Sequence, residues 1–252
     1  MSTDNSVTTP EVNPTPTPAI TSDVTTSTVA INPQVIAVVG PFRSGTSCIA
    51  GVLHTLGVSM GRQFMPSAPA NSKGFFEAIG LRKICGMIYP RALVVQDESS
   101  MPLEKRVQML RQHIQRRIGD SDPLGVKHPT LCLMVPEMVE AWPGVKIVSV
   151  TRSVDDAIAS MNRPGLFPMA SEEQRRASIQ HMLDVRDKNI EAWKVEHLDV
   201  NYKDALTDPQ AIVDALIGFA GIQPTESQMK AAVEFIDQDL CHHGSEEVAS
   251  NG

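Results

Sequence analysis

The sequence predicts an α/β protein with a P-loop-like, three-layer fold, in which a parallel β-sheet carries helices on both faces. Three observations carry that expectation. Apolar runs rich in β-branched residues stand at Val35–Val39 and Val145–Val150, and two further short strands are expected at Leu124–Lys127 and His197–Val200; the first two runs carry the burial signal. Such runs read as strands buried on both faces, as a parallel sheet requires. Between them lie longer stretches with apolar residues at helical spacing, so strands alternate with helices. The first strand also ends in a glycine-containing loop that leads directly into a helix.

Taken in order, residues 1–33 contain no Lys, Arg or His, and Pro14, Pro16 and Pro18 alternate with threonines. A solvated, disordered tail is expected there, followed by one α/β domain over 34–243 and a short disordered C-terminal tail over 244–252. The domain opens on Val35 to Gly57. Gly40-Pro41 breaks the first strand, and Ile49, Val52, Leu53 and Leu56 then recur at helical spacing. Backbone N–H groups of such a loop, with the positive end of the helix, form an anion cradle. Gly40 and Gly45 match the spacing of G-x-x-x-x-G-K-[ST], but Thr46 occupies the lysine position and the basic residue is Arg43, inside the loop. The bland alternative is an ordinary α/β turn capped by Ser and Thr.

Asn71 or Ser72 is expected to cap the next helix, placing Glu77 in its early turns, and that helix runs to Tyr89-Pro90. Leu103 to Ile118 is amphipathic, with Leu103, Val107, Leu110, Ile114 and Ile118 on one stripe. Lys105, Arg106, Arg111, Arg116 and Arg117 lie on a face read as solvated. One helical segment is expected after Pro129, through Trp142. Ser153 and Asp156 form an S-x-x-[DE] capping box, and Ser171 to Lys194 is a long helix whose apolar side includes Trp193. Helices over Pro209–Ala220 and Glu226–Ile236 close the chain.

With 252 residues, 42% of them hydrophobic, the chain can bury one sizeable core. A net charge of −7 argues against general attraction to nucleic acid or anionic membrane, so an anion site must be built from a few placed cations. Cys48, Cys85, Cys132 and Cys241 form no C-x-x-C pair, which fits reduced thiols and a cytoplasmic protein. No apolar run reaches membrane-spanning length, and the N-terminus carries no secretory signal pattern. Cys241-His242-His243 reads as tail rather than metal site, since neighbouring residues rarely supply one tetrahedral set.

Ligands of open α/β sheets lie beyond the carboxyl ends of the strands. Here those ends carry Arg43, Lys127-His128 and Thr151-Arg152. A kinase or NTPase places an Asp at such an end to hold magnesium, and this chain offers Arg152. Ser160, two helical turns further on, faces the same way and is positioned to share an anion with it. The competing reading of Arg152 is an ion pair with Asp155 or Asp156.

These residues together resemble the sulfotransferases that use 3′-phosphoadenosine 5′-phosphosulfate (PAPS). Pro41-Phe42-Arg43-Ser44-Gly45-Thr46-Ser47 is similar to their 5′-phosphosulfate loop, and Arg152 with Ser160 to their 3′-phosphate pair. Gly125-Val126-Lys127-His128-Pro129, Tyr202-x-Asp204-x-Leu206 and Phe235-Ile236-Asp237-x-x-Leu240 resemble segments of the bacterial branch, so the likeness spans about 35–243. One segment departs from it: that branch usually reads Lys-Asp-Pro-Arg where Lys127-His128-Pro129-Thr130 stands. The resemblance implies PAPS as co-substrate, no metal, and an acceptor hydroxyl or amine. Arg43 and Lys127 would neutralise the transferring group, and the candidate bases are Glu77, which is preferred, and His128. Two alternatives stand beside this. One is a non-catalytic nucleotide-binding protein on the same fold, to which His128 and Thr130 point. The other, a P-loop kinase or NTPase, is disfavoured by Thr46 and the missing Asp.

Overall fold

Strand β1 (Val35–Val39) is buried along its whole length, and its side chains divide between two cores. Val35, Ala37 and Val39 face one, and Ile36 and Val38 the other. The computed structural model describes Met1 and residues 33–67, 73–90, 99–120, 122–162 and 170–236. Among these, β1 lies between β2 (Leu124–Lys127) and β3 (Lys146–Thr151), and β4 (His197–Asn201) pairs with β3. All pairings are parallel, in the order β2-β1-β3-β4. The chain adds β2 on one side of β1 and β3 on the other, so a crevice opens at the carboxyl end of β1.

The first core packs α2 (Ile79–Ile88), α3 (Leu103–Gln115), α4 (Val135–Ala141) and the inner residues of α6 (Glu172–Trp193) against the sheet. The second packs α1 (Thr46–Thr55), α7 (Tyr202–Thr207), α8 (Pro209–Ala220) and α9 (Glu226–Phe235) against the opposite face. A smaller cluster joins α5 (Val154–Met161) to α6 through Ala157, Ile158, Met161, Ile179 and Leu183. The fold is therefore the expected three-layer α/β arrangement with helices on both faces.

Several expectations are corrected. Helix α2 starts at Ile79, with Ala78 at its N-cap and no side-chain cap, and Glu77 precedes it. The reason lies in the backbone: Phe64 and Ala78 form an antiparallel bridge, Met65 donates to the Glu77 carbonyl, and Phe76 adopts φ 52°. None of this is compatible with a helix, and Asn71 and Ser72 lie outside the described residues. The segment from Pro129 to Trp142 is split into a 3₁₀ turn (Pro129–Leu133) and α4, whose first turn holds Pro136. Proline lacks the N–H that a continuous helix would use.

On α3, Val107, Leu110 and Ile114 are buried as expected, but Leu103 and Ile118 are exposed because they lie at or beyond the helix ends. The basic face is not uniformly solvated. Arg117 is buried and donates to the carbonyls of Ser59 and Gly125, and Arg106 pairs with buried Glu137. Trp193 is half exposed, at the point where Lys194 turns the chain out of α6 with φ 49°. Ser153 caps α5 by accepting the Asp156 N–H at 3.1 Å. Both α6 and α9 begin with full capping boxes, Ser171 with Gln174 and Thr225 with Gln228. The expected tails, Asp237 to Leu240 and Cys241-His242-His243 lie outside the described residues, Met1 and Pro33 apart. Cys48, Cys85 and Cys132 form no disulfide, and no described helix is long and apolar enough to cross a membrane.

Candidate functional site

The loop after β1 turns tightly because two glycines permit it. Gly45 is the N-cap of α1 with φ 95°, a left-handed conformation that costs side-chain-bearing residues strain. Gly40 lies so close to β3 that a Cβ there would stand 2.5 Å from the Val150 carbonyl oxygen. Between them Arg43 holds φ 64°, a left-handed conformation uncommon outside glycine. Ser44 is buried, and its hydroxyl donates to the Pro41 carbonyl at 2.8 Å, closing the turn. Thr46 is buried against Gly40, and α1 has no side-chain cap. The first amides of α1 thus have no side-chain oxygen over them, as an anion site at a helix start requires.

Three strand ends converge on this loop. From β1, the Arg43 Nε donates to Ser160 Oγ on α5 at 2.9 Å. Ser160 therefore joins Arg43 directly, and its own O–H is left to donate elsewhere. From β3, an Arg152 terminal nitrogen reaches the Arg43 carbonyl at 3.5 Å, and its guanidinium lies 5.5 Å from the Tyr202 ring centre. Asp155 pairs with Arg176, not with Arg152. From β2, the buried Lys127 donates to Ser47 Oγ at 3.2 Å and to Glu77 Oε1 at 2.7 Å. Arg43, Ser44, Gly45, Thr46, Ser47, Glu77, Lys127, His128, Arg152 and Ser160 thus gather around the carboxyl ends of β1, β2 and β3.

Electrostatics separates the two titratable neighbours of Glu77. Burial pulls the Lys127 ammonium below the ordinary lysine range, and the Glu77 carboxylate opposes that shift. Burial also pulls His128 down to about 4, against the attraction of Glu77 and with the repulsion of Lys127 and Arg82. His128 is therefore neutral near pH 7. Its Nδ1 accepts the Thr130 N–H at 3.2 Å, which assigns the ring hydrogen to Nε2, and that atom faces Glu77 Oε2 at 3.9 Å. Approached by a hydroxyl, His128 presents a donor.

Two residues here were given no role from sequence. The Tyr202 ring lies inside van der Waals contact of where a Cβ on Gly45 would stand. Arg186 is a buried cation under the end of β3. Its signal was present, since it continues the α6 stripe of Ile179, Met182, Leu183 and Ile190 as the one charged member. A cavity of about 420 Å³ runs between α6 and β4; Arg186 and His197 line it together with the carboxylates of Asp187, Glu191 and Asp199. The loop, by contrast, combines an uncapped helix start with the side chains of Arg43, Lys127 and Arg152.

Against this geometry the comparisons decide the family. A profile described as "Sulfotransferase family" matches residues 33–226. The chain belongs to the sulfotransferase family. No curated protein matches it by sequence. Among solved structures it is similar to the sulfotransferase domain of the Synechococcus olefin synthase, with TM-score 0.51 and 17% identity over 88% of this chain and 90% of that one. A sulfotransferase from Mycobacterium avium aligns with TM-score 0.54 and 15% identity, covering 88% of this chain and 71% of that one. At these identities the structures bear on the fold, and the family assignment rests on the profile.

Proposed function

We propose that this sulfotransferase-family chain transfers a sulfuryl group from PAPS to a hydroxyl or amine acceptor. The observation that carries the reading is the Arg43–Ser160 hydrogen bond at 2.9 Å, which joins the loop after β1 to the helix after β3 in one two-lobed anion cradle. A donor with phosphate groups on both its 5′ and 3′ positions suits two lobes, and a nucleoside triphosphate suits one. In this reading the Gly45–Ser47 amides at the α1 start take the 5′-phosphosulfate, with Ser44 closing the turn beneath them, and Arg152 and Ser160 take the 3′-phosphate. The acceptor oxygen or nitrogen attacks sulfur in line, the sulfur bond to the 5′-phosphate oxygen breaks, and adenosine 3′,5′-bisphosphate departs. Arg43 and Lys127 stabilise the charge that builds on the transferring and leaving oxygens. Glu77 takes the acceptor proton, held in place by the Lys127 hydrogen bond at 2.7 Å, with the neutral His128 beside it. A cytoplasmic setting is part of the same proposal.

One observation favours a second reading. Lys127 is 3% exposed and already paired with Glu77 at 2.7 Å, which suits a protein that binds the nucleotide without turning it over. Calorimetric titration with adenosine 3′,5′-bisphosphate against ATP–magnesium tests the shared premise. Metal-independent binding of the bisphosphate, far tighter than that of ATP, is expected. Tighter, magnesium-dependent binding of ATP overturns the proposal. Bisphosphate binding with no release of it from PAPS across an acceptor panel selects the second reading.

A further inference from the structure

We infer that Arg186 is a positioning residue for the 3′-phosphate lobe, acting through Arg152; the inference rests on the proposed reading of that arginine. Arg186 lies in the middle of α6 and is 2% exposed. Burying a guanidinium is costly, and an apolar residue would continue the stripe at no such cost. What the arginine supplies is a fork of donors. One terminal nitrogen donates to the Val150 carbonyl at 3.0 Å and the other to Thr151 Oγ1 at 3.1 Å, while Nε meets the Asp187 carboxylate at 2.7 Å.

The first two acceptors belong to the two residues immediately before Arg152. They also stand where the sheet supports β3 least. Pairing between β1 and β3 ends at Val39 with Ser149, so Val150 and Thr151 keep only β4 as a strand neighbour. The Val150 carbonyl is in addition the atom against which Gly40 packs at the start of the loop. Arg186 therefore grips one short segment that meets the loop on one side and delivers Arg152 on the other. A planar fork fixes a carbonyl and a hydroxyl together, which sets the orientation of the strand end as well as its position. Arg152 then reaches back to the Arg43 carbonyl, linking the same segment to the 5′ lobe. Arg186 is given no contact with the nucleotide in this scheme.

The test compares adenosine 3′,5′-bisphosphate with adenosine 5′-monophosphate by calorimetry on the full chain, and reads the ratio of the two affinities. The wild type is expected to favour the bisphosphate by on the order of 10–100-fold, the usual worth of charge-assisted contacts to one added phosphate. Arg186→Met is expected to shrink that ratio to about threefold or less, with monophosphate affinity nearly kept. Arg186→Lys, which reaches one acceptor but not both, should fall between. A purely structural role would lower the melting temperature and leave the ratio unchanged, and that outcome overturns the inference. Should Arg186→Met fail to fold, Thr151→Val removes one arm of the grip at constant shape, and an unchanged ratio there overturns it equally. A wild type without preference for the bisphosphate would instead overturn the reading of Arg152 itself.

Discussion

At Lys127 one ammonium stands between two acceptors, Ser47 Oγ in the loop and Glu77 Oε1 before α2, and so ties the candidate base to the anion cradle. The neighbouring imidazole is a different kind of group. With Nδ1 occupied by the Thr130 N–H and burial holding it neutral, it has no free acceptor to offer a substrate. On the proposed mechanism, Glu77→Gln should lower turnover by roughly 10²–10⁴-fold while nucleotide affinity stays nearly intact. His128→Asn should cost less. Release of adenosine 3′,5′-bisphosphate from PAPS, with binding measured in parallel, checks both; a dead His128→Asn beside an active Glu77→Gln would reverse the roles. For the second lobe, Arg152→Ala should weaken binding of the 3′-phosphorylated nucleotide by on the order of 1.5–3 kcal/mol and barely affect its monophosphate counterpart. Equal losses for both nucleotides would place Arg152 elsewhere.

The strand–loop–helix unit of β1 and α1 works because its backbone is held in shapes most residues avoid. Gly45 is the clearest instance, being left-handed and pressed against the Tyr202 ring. Gly45→Ala should cost about 1–2 kcal/mol for the backbone alone. It also displaces Tyr202, and with it the ring beside Arg152. The expected result is a lower denaturant midpoint together with weaker nucleotide binding. An unchanged midpoint would mean that the loop relaxes without strain. The segment before α2 shows why Glu77 lies outside that helix. Asn71 and Ser72 looked like caps, yet the bridge of Phe64 with Ala78 and the φ 52° of Phe76 hold residues 76–78 out of the helix. Helix propensity is a local quantity, and a bridge to a segment more than ten residues back in the chain overrides it.

For the whole molecule, two buried histidines couple stability to pH. Burial, reinforced by Arg117 and Arg116, lowers His113 to about 4, and His128 also lies at about 4, each from an ordinary 6.5. Above pH 6.5 both are neutral in the folded and unfolded chains, and their contribution is constant. Between pH 6.5 and 4 the unfolded chain takes up protons that the folded chain refuses, so stability falls as pH falls. Each group contributes a slope of at most ~1.4 kcal/mol per pH unit in that window. Denaturant midpoints from pH 7 to 4 should follow this course, and His113→Leu should remove about half of the slope that the pair contributes. A flat profile, or a slope untouched by that substitution, would place the acid sensitivity in other groups.

The layers, the parallel sheet and the loop with its two glycines were legible in the sequence, because buried strands, amphipathic helices and tight turns are written in runs and spacings of neighbouring residues. Val35–Val39 and the Ser171 start of α6 show how directly. What only the tertiary structure decided is which distant groups meet. Ser160 was expected to serve beside Arg152, and it bonds Arg43, 117 positions away in the chain. Lys127 meets Glu77 across 50 positions and Ser47 across 80. Nor does periodicity distinguish the solvated Arg116 from the buried Arg117, or announce that Arg186 turns its fork beneath β3. The reason is physical. Apolar burial is non-directional and leaves a pattern along the chain, whereas a buried charge is tolerated only where specific acceptors await it. Those acceptors are set by strand order and register.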